Sequence, residues 1–316
     1  MTIHPRSAGG PFGNSVKTPR RTKRGHAAAR NRVKLVFVLP GALLFGVVVL
    51  VPIVVNFFYS FTDWSGFGSD FNLIGFGNFV SLVGDAQTRG AFFNTIVFTV
   101  INAPLQIGLG LLLAVTLQRP GRLVSVLRTV IVMPIAISGV VLGFLGTVIF
   151  DPNSGLLRAA SAVPGLHLLA QNWLGSPALA MGSVIAMNLW QWTGFTMLIF
   201  LAGLSTIPVE LYEAATLDGA GRVGQFRHVT WPLLAPALTI NVVLTLIGGL
   251  KIFDIIYVLT QGGPGSSTQS IVMRVTSEGS FAKYGYSAGI DFVLTAIILV
   301  VSLAALGLLR KRELTA

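Results

Sequence analysis

Long apolar runs without a charged side chain alternate with short polar segments along most of the chain. Each run is long enough to cross about 30 Å of hydrocarbon as a helix, at about 1.5 Å per residue. The runs lie at residues 35–62, 90–118, 129–150 and 159–209, then from about residue 233 with an interruption at Lys251 and Asp254, and finally at 292–309. This pattern predicts an all-α membrane protein with six transmembrane helices.

Composition agrees with a membrane location. Of the 316 residues, 53% are hydrophobic and only 10% are charged, whereas soluble domains carry about 25% charged residues. The absence of cysteine excludes disulfides, a thiol nucleophile and cysteine-based metal sites. The net charge of +11 comes largely from nine Lys and Arg in residues 1–34. This uneven distribution argues for a lipid bilayer rather than a nucleic acid as the partner.

The basic residues also predict the orientation in the membrane. Residues 1–32 are rich in Gly, Pro, Ser, Arg and Lys, and we expect them to form a disordered cytoplasmic tail. The segments between the apolar runs lie on the two sides of the membrane in turn. Those on the same side as the tail hold 17 Lys and Arg: nine in the tail, three at 119–128, two at 222–227 and three at 310–312. The segments on the other side hold four. The positive-inside rule therefore predicts that both termini are cytoplasmic.

The segment 206–232, here named the docking loop, is mixed in charge and still has a helical pattern. Val209–Leu217 is predicted to form a short helix, and the sequence Asp-Gly-Ala-Gly at 218–221 is expected to break it. Arg222–Val229 is predicted to form a second helix, which Pro232 ends. Two short helices joined at glycine form a compact knob, which suits docking to a protein partner.

Polar and aromatic side chains inside the apolar runs are candidates for a solute pathway. The fourth run contains Asn188, Trp190, Trp192 and Phe195. Such groups can bind a sugar, because aromatic faces stack on its C–H groups and amides form hydrogen bonds with its hydroxyls. An interfacial tryptophan belt is the alternative. In the third run, Ser138 is a weaker pathway candidate, and Gly139 and Gly143 are interpreted as helix-packing residues.

Lys251 and Asp254 interrupt the fifth run. At a spacing of three residues, they would share one face of a continuous helix and form an ion pair. Charges within a membrane are costly unless they face protein or water, so this pair, with Tyr257 one turn later, is a further pathway candidate. The alternative is a buried packing pair.

Two stretches resemble one family of membrane proteins. The cytoplasmic EAA loop of ABC importer permeases is similar to Glu213-Ala214-Ala215, Gly219 and Pro232, although Val229 and Trp231 replace its isoleucine and leucine. Carbohydrate importer permeases in particular have a run similar to Lys251, Phe253, Asp254, Tyr257, Thr260 and Gly262-Gly263-Pro264. The resemblance extends over about residues 70–310.

The resemblance implies the type I ABC importer permease fold. In that family two homologous permease subunits form the pore, an ATP-binding cassette ATPase dimer drives it, and an external solute-binding protein delivers the solute. It also implies that ATPase coupling involves Glu213, Ala214, Ala215, Asp218, Gly219 and Pro232. The sequence has no G-x-x-x-x-G-K-[ST] motif, so we expect the partner ATPase to use the ATP. This chain is expected to bind no cofactor or metal, to contain no catalytic residue and to be no enzyme.

The chain is predicted to lie in a bacterial cytoplasmic membrane and to have four parts. They are the basic tail (1–32), a first transmembrane helix with its external loop (33–90), a core permease domain of five transmembrane helices (91–309) and a cytoplasmic C-terminal tail (310–316). The expected function is import of a sugar or oligosaccharide. A permease for another solute and an ion-driven secondary carrier are the alternatives. The carrier is disfavoured because no inverted duplication is apparent and Asp254 is the only acid assigned to the membrane interior.

Overall fold

The computed structural model describes residues 38–313. The predicted tail at residues 1–32 and the last three residues of the predicted C-terminal tail lie outside this range. The helices are α1 (Val38–Tyr59), α2 (Gly77–Gly84), α3 (Ala86–Thr116), α4 (Arg122–Val132), α5 (Gly139–Ile149), α6 (Leu156–Ala160), α7 (Pro177–Ser205), α8 (Val209–Leu217), α9 (Arg222–Gln225), α10 (Ala235–Leu250), α11 (Asp254–Leu259), α12 (Ile271–Ser280) and α13 (Tyr284–Glu313).

The chain divides into two units, residues 1–54 and 55–316. The described part of the first unit, residues 38–54, is helical and includes a π-helical turn at Gly46–Leu50. Its large apolar side chains are exposed. Exposed apolar side chains on a helix of this length suit contact with lipid. The second unit contains the elements described below.

Among residues 38–313, five helical segments are long and apolar enough to cross a membrane. They are α1, α3, α7, the segment Ala235–Leu259 that comprises α10 and α11, and most of α13. The third apolar run forms two shorter segments instead, Arg122–Ala136 and Gly139–Ile149, which are bent by 103° relative to each other. The predicted number of six spans is reached when this bent pair counts as one of them.

The bend between α4 and α5 lies at Ile137 and Ser138. It follows a 3-10 turn that contains Pro134, which lacks the N–H that a continuing helix requires. The Ser138 hydroxyl caps α5 by accepting a hydrogen bond from the Val141 N–H at 3.4 Å. The Gln191 side chain donates to the Ile137 carbonyl at 2.8 Å. A remote amide thus pairs a carbonyl at the bend, as a break inside a membrane requires.

Helices α5 and α11 pack closely through glycine. A Cβ atom on Gly143 would lie 2.6 Å from the Val258 Cβ, and one on Gly139 would lie 2.7 Å from the Asp254 Cβ. Both distances are far shorter than van der Waals contact, so only glycine allows this approach. The predicted packing role of the two glycines is confirmed. Next to this contact lies a buried apolar cluster that includes Phe98, Leu142, Val184, Ile255 and Ile256.

A charged cluster joins α12 to the start of α3. The Arg274 guanidinium lies 2.9 Å from the Asp85 carboxylate and 2.7 Å from the Glu278 carboxylate. The hydroxyls of Thr88 and Tyr286 also donate to Asp85. Burial disfavours the ionised form of Asp85, but the hydrogen bonds outweigh it and hold the pKa of this carboxyl well below its usual range. The cluster therefore fixes α12 to α3 and lines a cavity of about 430 Å³.

Candidate functional site

A second cavity, of about 410 Å³, lies among the helices of the second unit. Its volume falls within the range of small-ligand sites, about 300–1,000 Å³. Its walls come from α3, α7 and α10, and it reaches the start of α5 and the break between α10 and α11. The polar lining residues are Asn102, Gln106, Asn188, Gln191, Thr196, Asn241, Thr245, Lys251 and Asp254, and the aromatic ones are Trp192, Phe195 and Phe253.

Buried polar side chains connect three walls of this cavity. Asn102 Nδ2 donates to Gln106 Oε1 at 3.1 Å, and both residues belong to α3. Gln106 Nε2 donates to Thr196 Oγ1 of α7 at 2.9 Å. Asn241 Nδ2 of α10 donates to the Thr196 carbonyl at 3.5 Å. Hydrogen bonds in a buried, low-dielectric network are electrostatically strong, so this network fixes the relative positions of α3, α7 and α10.

The cavity brings together five of the predicted pathway residues. They are Asn188, Trp192, Phe195, Lys251 and Asp254. The other three lie elsewhere: Ser138 caps α5 at the bend, and the Trp190 side chain is 46% exposed without lining the cavity. Tyr257 stacks on Phe253, which does line the cavity, with ring centroids 5.2 Å apart. The part that each residue plays in solute passage stays a prediction.

The predicted helical pairing of Lys251 and Asp254 is wrong. Helix α10 ends before Lys251 and α11 begins at Asp254, so the spacing of three residues does not place them on one helix face. No ion pair joins them among the residues that the structure describes. Asp254 lies against Gly139 in the first turn of α11, where the helix dipole favours an acid.

Lys251 lies near Asp291 of α13, and no ion pair joins these two side chains within the described residues. The Asp291 carboxylate accepts a hydrogen bond of 2.7 Å from the Asn56 side chain. Asp291 is the eighth residue of α13, which is long and apolar enough to span a membrane. Asp254 is therefore not the only acid in a candidate span, which corrects the sequence-based expectation.

The sequence analysis did not assign several cavity residues to the pathway. These are Asn102, Gln106, Gln191, Thr196, Asn241 and Thr245. Their spacing carries a usable pattern, because Asn102 and Gln106 are four residues apart, as are Asn241 and Thr245. Residues four apart share a helix face, so two amide or hydroxyl groups at that spacing inside an apolar run indicate a polar face directed at protein or water.

The docking loop has the predicted first helix. Helix α8 has the predicted bounds, and Gly219 after it has a φ of +80°, a backbone conformation that favours glycine. The predicted contact residues Glu213, Ala214, Asp218 and Gly219 are exposed, and Ala215 and Pro232 are half-buried. The apolar side chains of Leu217 and Val223 are 90% and 81% exposed. Exposed apolar and acidic groups therefore lie together on this loop.

Two hydrogen bonds between side chains hold the halves of the docking loop together. The hydroxyls of Tyr212 and Thr230 lie 3.0 Å apart, and Gln225 Nε2 donates to Thr216 Oγ1 at 2.9 Å. Both bonds connect α8 to the second half of the loop. The loop is thus a folded unit that connects α7 to α10.

The second half of the docking loop differs from the prediction at Pro232. After α9 the chain continues through a π-helical turn, Phe226–Thr230, and a short helical turn, Trp231–Leu233, that contains the proline. The Trp231 N–H bonds to the Phe226 carbonyl, five residues earlier. Pro232 has no N–H to pair. After this wider π-helical turn, the helical segment therefore continues through Pro232 and does not end there. The only interruption before α10 is a turn at Leu234.

Comparisons with known proteins identify similar chains. Residues 106–311 match the family described as binding-protein-dependent transport system inner membrane component. A probable ABC transporter permease protein of Pyrococcus horikoshii is 37% identical over 272 residues, which cover 85% of this chain and 92% of the relative. The trehalose/maltose transport system permease protein MalF of Thermococcus litoralis is 30% identical, with 87% and 93% covered.

The fold has a counterpart among solved structures. A bacterial alginate ABC transporter, in complex with an alginate pentasaccharide-bound periplasmic protein, contains a chain that matches with a TM-score of 0.80. The match covers 91% of this chain and 97% of that one, at 22% sequence identity. At this identity the likeness concerns the fold alone.

Proposed function

The chain belongs to the family of inner membrane components of binding-protein-dependent transport systems, and we propose that it is the permease subunit of an ATP-driven ABC importer for a sugar or oligosaccharide. The trehalose/maltose permease of Thermococcus litoralis supports a carbohydrate as the solute. The proposed location is a bacterial cytoplasmic membrane, which the chain crosses several times.

The lining of the 410 Å³ cavity carries the proposal. Five amide side chains offer donors and acceptors for hydroxyl groups, and Trp192, Phe195 and Phe253 offer aromatic faces for C–H groups. The charged side chains of the lining are Lys251 and Asp254, whose formal charges cancel. A neutral, hydroxyl-rich solute matches this combination better than an ion does.

The proposed partners are a second homologous permease subunit, an ATPase dimer that binds the docking loop, and an external solute-binding protein. The docking loop and both termini are proposed to be cytoplasmic. In support, Ile207 of the docking loop packs in the same cluster as Leu117, whose carbonyl accepts a hydrogen bond from Arg128. Two segments predicted to be cytoplasmic therefore meet, as do two predicted to be external, through Asp85 and Arg274.

In the proposed cycle, ATP binding closes the ATPase pair, and the docking loop transmits the movement to α7 and α10. The loop connects these two helices, and both form walls of the cavity, so their movement changes the access of the solute. ATP must bind the closed ATPase pair more tightly than the open pair, because a ligand with equal affinity for both states does not shift the equilibrium between them. The chain itself performs no covalent chemistry in this cycle.

Co-purification from cells that express the chain with its neighbouring genes tests the proposal. The wild-type chain is expected to recover an ATPase and a second permease in mild detergent. The double variant Glu213→Lys, Gly219→Pro should lose the ATPase and keep the second permease, because proline cannot adopt a φ of +80°. Asp70→Lys is the control: it reverses an exposed acid outside the docking loop and should keep both partners.

Two outcomes would contradict parts of the proposal. Recovery of the ATPase with the double variant would show that the docking loop is not the contact. A wild-type chain that purifies without any ATPase would contradict the importer. It would favour a secondary carrier, for which Asp291 is a specific residue to test in ion coupling.

A further inference from the structure

One buried acceptor in the cavity lining has no partner. Asn102 is 2% exposed, and its Oδ1 makes no hydrogen bond within residues 38–313. Buried polar atoms in folded proteins nearly always have a partner, and exceptions call for an explanation such as a bound molecule. Asn102 lines the 410 Å³ cavity, so a molecule in that cavity can provide the missing donor.

The neighbouring hydrogen bonds fix the Asn102 amide. Its Nδ2 donates to Gln106 Oε1, and Gln106 Nε2 in turn donates to Thr196 Oγ1. The three groups are oriented by each other and connect two helices before any ligand arrives. Rotation of the Asn102 amide alone would break the first of these bonds, so within this network Oδ1 is the atom left without a partner. Such a preorganised acceptor loses little conformational freedom when a ligand binds.

We propose that Asn102 is a specificity-determining residue, whose Oδ1 accepts a hydrogen bond from one hydroxyl group of the transported sugar. The proposal rests on the function proposed above and adds a recognition contact from α3. A carboxylate or phosphate offers no donor to this oxygen. An ammonium group offers one, but the formal charges of Lys251 and Asp254 in the lining cancel, so the cavity offers no net negative charge to a cation. A neutral hydroxyl is the donor that suits both conditions.

Uptake by the complete importer, with its partner permease, ATPase and binding protein, tests the contact. The probes are radiolabelled maltose, trehalose, sucrose and glycerol 3-phosphate, followed by the monodeoxy derivatives of the sugar that is taken up best. Asn102→Leu removes the acceptor at similar volume. The control Thr99→Val removes a buried hydroxyl one turn earlier in α3, where Oγ1 bonds only to the Thr95 carbonyl and the residue does not line the cavity.

Asn102→Leu is expected to raise the KM for the parent sugar about three- to tenfold, as the loss of one neutral hydrogen bond implies. For the one monodeoxy derivative that lacks the contacting hydroxyl, the variant and the wild type should have equal KM. Thr99→Val should match the wild type with every sugar. The external binding protein is the same in all cases, so its own preferences among the sugars cancel in the ratio of the variant's KM to the wild-type KM.

A purely structural role of Asn102 would reduce uptake of all derivatives by the same factor, and that result would overturn the inference. Unchanged uptake by Asn102→Leu would also overturn it, while the proposed function would stand. If the wild type takes up glycerol 3-phosphate but none of the sugars, the proposed sugar function fails, and the inference fails with it. If it takes up none of the four probes, both fail as well.

Discussion

Substitution of Gly143 by alanine tests the close contact between helices α5 and α11. The new Cβ would lie 2.6 Å from the Val258 Cβ and 2.9 Å from its Cγ1. Ordinary carbon contacts begin near 3.4 Å, so the two helices must separate by about 1 Å. Overpacking of this kind costs about 1–3 kcal/mol. The higher helix propensity of alanine returns about 0.5–1 kcal/mol, which leaves a net loss of about 0–2.5 kcal/mol relative to wild type.

The measurement is the midpoint of thermal unfolding of the purified chain, at one fixed heating rate. Gly108→Ala is the matched control, because Gly108 lies inside α3 and an added Cβ there meets no atom within 4 Å. Both variants gain the helix propensity of alanine, so Gly143→Ala should unfold at a lower temperature than Gly108→Ala, by about 2–4 °C for each of the about 1–3 kcal/mol lost to overpacking. Equal midpoints for the two variants would show that α5 and α11 do not pack as closely as described.

Two further predictions concern buried polar groups. The pKa of Asp85 is lowered in the fold, so its stabilising effect is present above its unfolded pKa of about 4 and is lost as the pH falls towards the folded value. Asp85→Asn should therefore lower the unfolding midpoint at pH 7, with a difference from wild type that shrinks below about pH 4; a difference independent of pH would contradict this. Gln191→Leu leaves the Ile137 carbonyl unpaired and should cost about 1–3 kcal/mol. The same change at exposed Gln171 should cost close to nothing, and equal losses would refute the role of Gln191 at the bend.

The sequence predicted the docking loop well where local rules apply. The bounds of α8 and the turn at Gly219 follow from helix propensity and from the conformational freedom of glycine, both of which act within a few residues. Pro232 was assigned wrongly because a proline ends a regular α-helix. A preceding π-helical turn changes the hydrogen-bond pattern, and no residue type reliably marks such a turn.

The helix breaks were harder to predict, because distant residues stabilise them. The bend after Pro134 depends on a hydrogen bond from Gln191, 54 residues later in the chain. Hydropathy reports which segments are apolar, but not whether a neighbouring helix can pair a freed carbonyl. The same limitation explains Lys251 and Asp254, whose predicted pairing assumed a continuous helix.

The cavity could be predicted only in part. Asn188, Trp192 and Phe195 stand out in the sequence because aromatic and amide groups are dense there. Asn102 and Asn241 lie in two separate, largely apolar runs, and only the packing of α3 against α7 and α10 brings them to one site. Spacing within each helix suggests the polar faces, whereas their convergence depends on tertiary structure.

ATP-dependent uptake into proteoliposomes tests the central claim most directly. The vesicles contain this chain with its partner permease and ATPase, and the binding protein and labelled maltose or trehalose are supplied on the side opposite the ATPase. The account predicts that uptake requires both ATP and the binding protein and continues when ionophores collapse all ion gradients. Uptake that follows an imposed ion gradient and is independent of ATP would contradict it.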